Sequence, residues 1–456
     1  MIGTLFLYDS FKKKDTAASS PPNNFVKKAY LPVANCPLNE RLSASSRQMS
    51  KSTSTPARNS PSRPSHLRQA NARGLLYLLR KNNPCSKADL VRLSGLSAPT
   101  VSSGVSHLES LGLIEFIGEG ESSGGRPPGL LRFNATLGYV AAADIGGSRL
   151  RMMMTDLNGE IVTQWSTVLL KQQKTPAAIC ALVKDGLRLM CEQSGNDPRK
   201  LLHLTAGAPG ITNVDTGVVR SAPNLKDWND IPLRDMLQQQ TGLAVQVEND
   251  TNLAAVGEYR RGSAVGVENF VFIAIGTGVG AGIFLRGQLH HGAQWCSGEI
   301  GYFGVSGQER KAMRVRQTGQ LERMIGGGGI EQHWLGLLKA HPSAANAELG
   351  RLRADQIFDL ARDGDALAIK TLTFAATLLA DTVADISLLL NPELVVLGGG
   401  IGAHPELCRV TESLVQRHEF AQPQLRSSSL GTRAQLFGAI SLSIAAATSS
   451  LLPCPA

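Results

Sequence analysis

The chain has 456 residues, of which 42% are hydrophobic and 5% aromatic, with 47 glycines and a formal net charge of +9. That length predicts about two to four domains, and a Gly-rich, aliphatic composition poor in aromatics favours α/β architecture over an all-β sandwich. The charge is uneven: residues 1–135 hold 18 Lys and Arg against 8 Asp and Glu, and the remainder holds 28 against 29, so a polyanionic partner is expected for the front end alone.

Residues 1–64 are rich in Ser, Pro, Asn, Lys and Arg and are expected to form a disordered basic tail, because such a composition buries too little surface to offset chain entropy. Met49 is an alternative translation start. The N-terminus has no basic segment ahead of its short apolar stretch and is not read as a secretory signal. No apolar run approaches the roughly 20 residues of a membrane span, so no membrane partner is expected. Seven cysteines lie far apart without a C-x-x-C pair. That spacing fits free thiols in a reducing cytoplasm, the expected compartment.

Residues 65–135 predict three short helices and a β-hairpin. The first helix, about Leu67 to Lys81, takes its apolar stripe from Leu75, Leu76, Leu78 and Leu79. Ser86 and Asp89 have the spacing of a capping box for a second helix, Lys87 to Leu93. Ser94-Gly95-Leu96 supplies a tight turn, and Ser97 caps a third helix with Pro99 in its first turn. Val101, Val105 and Leu108 should face inward there. Ser97, Thr100, Ser102, Ser103 and Ser106 form the opposite, short-hydroxyl side, which can approach DNA phosphates and base edges closely. Two strands around Leu113–Ile117 and Leu130–Phe133 flank a Gly-rich tip carrying Arg126, which is suited to a minor groove. The pattern is that of a winged helix-turn-helix; a helical adaptor without a DNA role is the alternative.

Strand and helix signals alternate from Leu137 to about Thr448, so residues 136–450 are expected to form a two-lobed α/β body. Val140–Ile145 is a strand that runs into Gly146-Gly147-Ser148, and Asp144 at its end could hold Mg²⁺ through water. Glycines there let backbone N–H groups approach phosphate. Alone, Asp-x-Gly-Gly also reads as an ordinary hairpin turn. A second strand meets Gly276-Thr277-Gly278, and a third, Leu394–Leu397, ends in Gly398-Gly399-Gly400 before a helix. The two Gly-rich strand turns near Asp144 and Gly276 suggest two related halves.

Three such motifs in this order resemble the ROK family of repressors, open reading frames and sugar kinases. The match extends to Gly207-Ala208-Pro209-Gly210, Ala222-Pro223-Asn224-Leu225, Glu248-Asn249-Asp250-Thr251-Asn252, Gly298-Glu299-Ile300-Gly301 and Leu430-Gly431 through Phe437-Gly438-Ala439. With the front end included, the resemblance is to the repressor branch, the relatives of xylose and N-acetylglucosamine repressors. It implies an actin-like ATPase (ribonuclease H-like) sugar-kinase fold behind the winged helix-turn-helix. It further implies sugar contacts from Asn224, Asn249, Asp250, Glu299, Tyr302 and Glu322, with Asp250 at the place of the kinase general base. The nucleotide positions carried over are Asp144, Gly146, Gly147, Ser148, Gly276, Thr277, Gly278, Gly398, Gly399 and Gly400.

The chain departs from the family at its zinc site of one His and three Cys. The corresponding positions are Tyr302, Met313, Val315 and Gln320, which make no plausible tetrahedral zinc set, so no structural zinc is expected. The resulting expectation is a sugar-responsive transcriptional regulator, a repressor of carbohydrate genes. It would act as a homodimer or homotetramer on double-stranded operator DNA with a small sugar as effector. The alternative is an ATP-dependent sugar kinase, of glucokinase or N-acetyl sugar kinase type, carrying an added DNA-binding head. ATP and Mg²⁺ enter only in that case.

Overall fold

A computed structural model describes residues 64–120, 127–222, 225, 227–305, 307, 317–342 and 348–452. The expected disordered tail lies outside these residues, apart from Pro64, which opens the first helix.

The front end comprises α1 (Pro64–Lys81), β1 (Cys85–Ser86), α2 (Lys87–Ser94), α3 (Ala98–Ser110), β2 (Ile114–Glu119) and β3 (Gly129–Phe133). Leu75, Leu76 and Leu79 are buried, and Leu78 is half-buried beside them. The capping box forms as its spacing predicts: Asp89 N donates to Ser86 Oγ at 3.1 Å, and Ser86 N donates to Asp89 Oδ2 at 3.0 Å. Gly95 ends α2 at φ 67°, in the left-handed region that favours glycine. Val101, Val105 and Leu108 of α3 point into the core. Gly104 lies among them because a Cβ there would stand 2.5 Å from Leu75 Cδ1, so α1 and α3 approach closely at this point. The expected hairpin is in fact a three-stranded sheet of order β1-β3-β2, in which Cys85 and Ser86 pair with Leu131 and Leu130. A two-residue strand has no periodicity to read.

The body contains two five-stranded sheets of the same topology. The first consists of β4 (Tyr139–Ile145), β5 (Arg149–Asp156), β6 (Ile161–Val168), β7 (Leu201–Ala208) and, after a small sheet of β8 (Ile211–Asn213), β9 (Val218–Ser221) and β10 (Asn229–Ile231), β11 (Ala244–Asn249), in the order β11-β7-β4-β5-β6. The second consists of β12 (Phe270–Ile275), β13 (Val279–Leu285), β14 (Gln288–Leu289), β15 (Leu394–Gly398) and β16 (Gln424–Ser427), in the order β14-β13-β12-β15-β16. Each is an antiparallel meander of three strands extended by two parallel strands beside its first member. The two halves suggested by the glycine turns are therefore built alike. Val140, Ala141, Ala142 and Ala143 are all fully buried, as a central strand covered on both faces requires.

Helices cover the sheets. In the first half they are α4 (Pro176–Ser194) and α5 (Leu233–Thr241), and α6 (Asp250–Arg261) leads from β11 to the second half. The second half holds α7 (Gln320–Ile325), α8 (Gly327–Ala340), α9 (Ala354–Arg362), α10 (Ala366–Leu390), α11 (Gly399–Gly402) and α12 (Pro405–Val415), and α13 (Ala434–Leu451) returns to the first. Contrary to the sequence expectation, Ala366–Leu390 and Gly431–Leu451 are long and apolar enough to cross a membrane, with mean hydropathies of 1.5 and 1.4. Packing accounts for both. Leu372, Ala376, Leu379 and Val383 of α10 join the core of the second half. Leu436, Phe437, Ala439 and Ile440 of α13 join a core shared with the front end.

α13 lies against α6 at backbone distance. A Cβ on Gly438 would stand 1.9 Å from the Leu253 carbonyl oxygen, and one on Gly257 would stand 2.2 Å from that of Ala434. Fully buried Ser443 fastens α13 to the first sheet, donating to the Ala141 carbonyl at 3.0 Å and meeting Thr205 Oγ1 at 2.7 Å. The front end is tied to the other end of the same helix. Arg73 Nε donates to the Leu452 carbonyl at 3.0 Å. Arg80 Nη2 donates to the Leu157 carbonyl at 2.6 Å, with its guanidinium 4.6 Å from the centre of the Phe133 ring.

Candidate functional site

Parallel strands deliver their carboxyl ends to one edge of a sheet, which is where open α/β sheets gather polar groups. β4 brings Asp144 to that edge, and β11 brings Asn249, followed at once by Asp250 as the first residue of α6. β12 and β15 bring Gly276 and Gly398 to the corresponding edge of the second sheet.

Asn249 caps α6, its Oδ1 accepting from Asn252 N at 2.9 Å while its Nδ2 donates to the Gly210 carbonyl at 2.9 Å. Asp250 Oδ1 accepts from Thr251 N at 2.7 Å. Burial, reinforced by the charge of Asp144, pushes the Asp250 carboxyl up to about 7. Burial likewise raises Asp144 itself, countered by Arg151, whose Nη1 lies 3.1 Å from Asp144 Oδ2 on the paired strand β5. Glu299 is pushed up to about 7 by burial and by the charges of Asp250 and Glu322. Glu322, on α7, is raised by burial, although its Oε2 accepts from Val279 N at 3.0 Å. Tyr302 is raised by burial and by Glu299 and Glu322. The structure therefore brings Asp144, Asp250, Glu299, Tyr302 and Glu322 into one electrostatically coupled group, with Asn249 beside it. A carboxyl near 7 can exist as acceptor or donor at neutral pH, which suits it to bind a hydroxyl or to take its proton.

The glycines divide by role. Gly147, Gly276 and Gly400 have open space where a Cβ would stand. The Gly146 and Gly276 amides close their own turns, donating to the carbonyls of Arg149 and Gly278 at 3.0 and 2.9 Å. At Gly398 a Cβ would meet the Phe272 ring at 2.2 Å, and at Gly399, φ +81°, the Ile275 carbonyl at 2.4 Å. Those two residues are glycine for close packing of the strand-to-helix turn. Ser148 and Thr277 are exposed at the turn tips.

On α3, Ser102, Ser103 and Ser106 are exposed. Ser97 is engaged as the helix cap, meeting Thr100 Oγ1 at 2.8 Å and Thr100 N at 3.4 Å. Asn224 and Arg126 lie outside the described residues. Of the positions standing where the family has zinc ligands, Met313 and Val315 also lie outside. Tyr302 and Gln320 offer neither thiolate nor imidazole, so the residues present do not fit zinc. Among the described residues no group of three or more His, Cys, Asp or Glu is placed to hold a metal ion.

Two contacts at this site escaped the sequence reading. Arg151 carries no motif, and only the β4–β5 register sets it against Asp144. His291 pairs with Glu248 at 2.8 Å. In sequence His291 is 43 residues from that partner, and no spacing rule joins them.

Two sheets of matching topology with the site at their carboxyl ends define a kinase-like fold of the actin-like ATPase type. Residues 140–446 match the ROK family, and the chain belongs to it. The chain is 28% identical to the xylose repressor of Bacillus subtilis over 383 residues, which is 83% of this chain and 96% of the repressor. It is 33% identical to a glucokinase of Halalkalibacterium halodurans over 267 residues, 58% of this chain and 80% of the glucokinase. Among solved structures, a ROK family transcriptional regulator described as a homologue of the E. coli MLC protein superposes with a TM-score of 0.70 at 25% identity, covering 85% of this chain and 98% of that one. A ROK family glucokinase from Streptomyces griseus, solved with glucose and AMPPNP, gives a TM-score of 0.57 at 25% identity, covering 67% of this chain and 99% of that one. The repressor alignment is longer than the segment 140–446, so it reaches beyond the kinase-like body. The glucokinase alignment is shorter than that segment.

Proposed function

We propose that this chain is a sugar-responsive transcriptional repressor. Residues 65–135 act as a winged helix-turn-helix head on double-stranded operator DNA, and residues 136–450 act as the sugar sensor. One observation carries the reading. The head is fastened to α13 through Arg73, which donates to the Leu452 carbonyl at its end, and through Arg80, whose Nη1 lies 3.4 Å from Thr448 Oγ1; α13 lies at backbone distance along α6, whose first residue is Asp250. A sugar that engages Asn249, Asp250, Glu299, Tyr302 and Glu322 thus acts on the helix that abuts the head's support. Asn224 completes the sugar set, and Ser97, Thr100, Ser102, Ser103, Ser106 and Arg126 form the DNA-facing set. In this reading the protein works in the cytoplasm as a homodimer or homotetramer, on an operator of matching symmetry. The test is selection of genomic fragments at moderate salt, with and without a panel of hexoses, pentoses and N-acetyl sugars. An enriched palindromic site released by one sugar is expected, and no enrichment over background defeats the reading.

A second reading, an ATP-dependent sugar kinase, is favoured by the Asp250 carboxyl near 7. In the kinase reading the open space over Gly147, Gly276 and Gly400 takes nucleotide phosphates. Asp144, the carboxylate that would face Mg²⁺, is engaged by Arg151, which weighs against it. ADP release with Mg·ATP across the same panel, for wild type and Asp250→Asn, decides. Sugar-dependent turnover abolished by the substitution makes the protein a kinase as well.

A further inference from the structure

Glu248 is the last residue of β11 before Asn249, and its side chain is 3% exposed. A carboxylate this buried must have its lone pairs satisfied. Oε1 accepts from Asn249 N at 2.9 Å and from Asn252 Nδ2 at 3.0 Å. Oε2 meets His291 Nε2 at 2.8 Å. The first two bonds fix the start of α6, where Asn249 and Asp250 stand. The third comes from the other half of the molecule, because His291 follows β14 of the second sheet. Its own segment is pinned there, His290 N donating to the Ile283 carbonyl at 2.8 Å and Ser297 N to the His291 carbonyl at 3.2 Å. Burial disfavours a charge on His291, yet the bond to Glu248, the charge of Glu248 and the more remote charge of Asp215 outweigh it, and the imidazole is raised above 6.5.

We propose that Glu248 and His291 form a strut between the two sheets that positions Asn249 and Asp250 to receive the sugar. Both are positioning residues. The inference rests on the sugar-site reading above, which assigns neither of them. Without the imidazole, Glu248 Oε2 is a buried anion lacking its donor. The carboxylate then turns toward water, and the Oε1 bonds to Asn249 and Asn252 loosen with it. Hydrogen-bond geometry at the site is lost with shifts of a few tenths of an ångström.

The test uses the full chain with His291→Leu, which removes the donor, and His291→Gln, whose amide restores one. Two quantities are read: affinity for the sugar found in the operator release experiment, by calorimetry, and hydrogen exchange of the amides at 249–252. The leucine variant is expected to bind sugar about tenfold more weakly, with faster exchange confined to the start of α6, and glutamine to recover most of both. Equal affinity and equal exchange in wild type and both variants would overturn the proposal. If wild type binds no sugar of the panel, the sugar reading fails by itself and the exchange at 249–252 still decides for or against the strut. Should the leucine variant not fold, NMR of His291 in wild-type protein decides: a slowly exchanging Nε2 proton supports the strut, and an Nε2 that carries none at neutral pH removes it.

Discussion

Asp250→Asn tests whether the coupled carboxyl group of the site is held against its own charge. The folded protein raises this carboxyl from 3.8 to about 7 through burial and the neighbouring Asp144. Between those values the native state holds the proton and the unfolded chain has lost it, so stability contributed by the protonated form falls as pH rises from about 4 to about 7. The full difference corresponds to about 4 kcal/mol, and relaxation of the coupled neighbours reduces it, so about 1–3 kcal/mol is expected. Asparagine keeps the oxygen that accepts from Thr251 N at 2.7 Å and carries no charge. The variant should therefore match wild type at about pH 4 and exceed it at about pH 8 by that amount, or about 2–9 °C in Tm. Thermal and urea unfolding at the two pH values check it. A variant no more stable relative to wild type at high pH than at low would refute the claim that Asp250 is destabilised in its ionised form.

Three further outcomes follow from packing, surface and capping. Gly438→Ala places a Cβ 1.9 Å from the Leu253 carbonyl oxygen, so α13 must move off α6 at a cost of about 1–3 kcal/mol; urea unfolding reads the loss, and operator release by sugar should weaken more than sugar binding itself. Ser103→Glu adds a charge to an exposed position of α3 and should abolish operator binding in a gel-shift assay with Tm unchanged within about 1 °C. Ser86→Ala removes one bond of the capping box, which should destabilise the front end by about 1 kcal/mol and lower operator affinity, seen as faster hydrogen exchange in α2 with exchange in β4 unchanged.

Much of this molecule was legible in its sequence because local physics wrote it there. The capping box of Ser86 and Asp89, the left-handed turn at Gly95 and the inward face of Val101, Val105 and Leu108 each follow from spacing within one or two helical turns. The doubled glycine turns announced two related halves, and the ROK motifs pointed to the carboxylates that the structure gathers. What the sequence could not hold was register and long-range contact. The pairing of Cys85–Ser86 with Leu130–Leu131 has too few residues to show a period. Arg151 meets Asp144 only because β4 and β5 pair in one register, and a slip of one residue would send it to the opposite face. The apolar length of α10 and α13 became intelligible only once their burial among several neighbours was seen. Phe437-Gly438-Ala439 belonged to the ROK resemblance, but the reason for glycine at 438, and at 257, lies in the contact between the backbones of α6 and α13. Glu248 lies on β11 of the first sheet and His291 on the segment after β14 of the second, and only the packing of the two halves makes them a pair. Sequence determined which elements form, since propensity, capping and periodicity act over a few residues. Tertiary structure alone decided which charges neutralise one another, because that depends on distances between segments far apart in the chain.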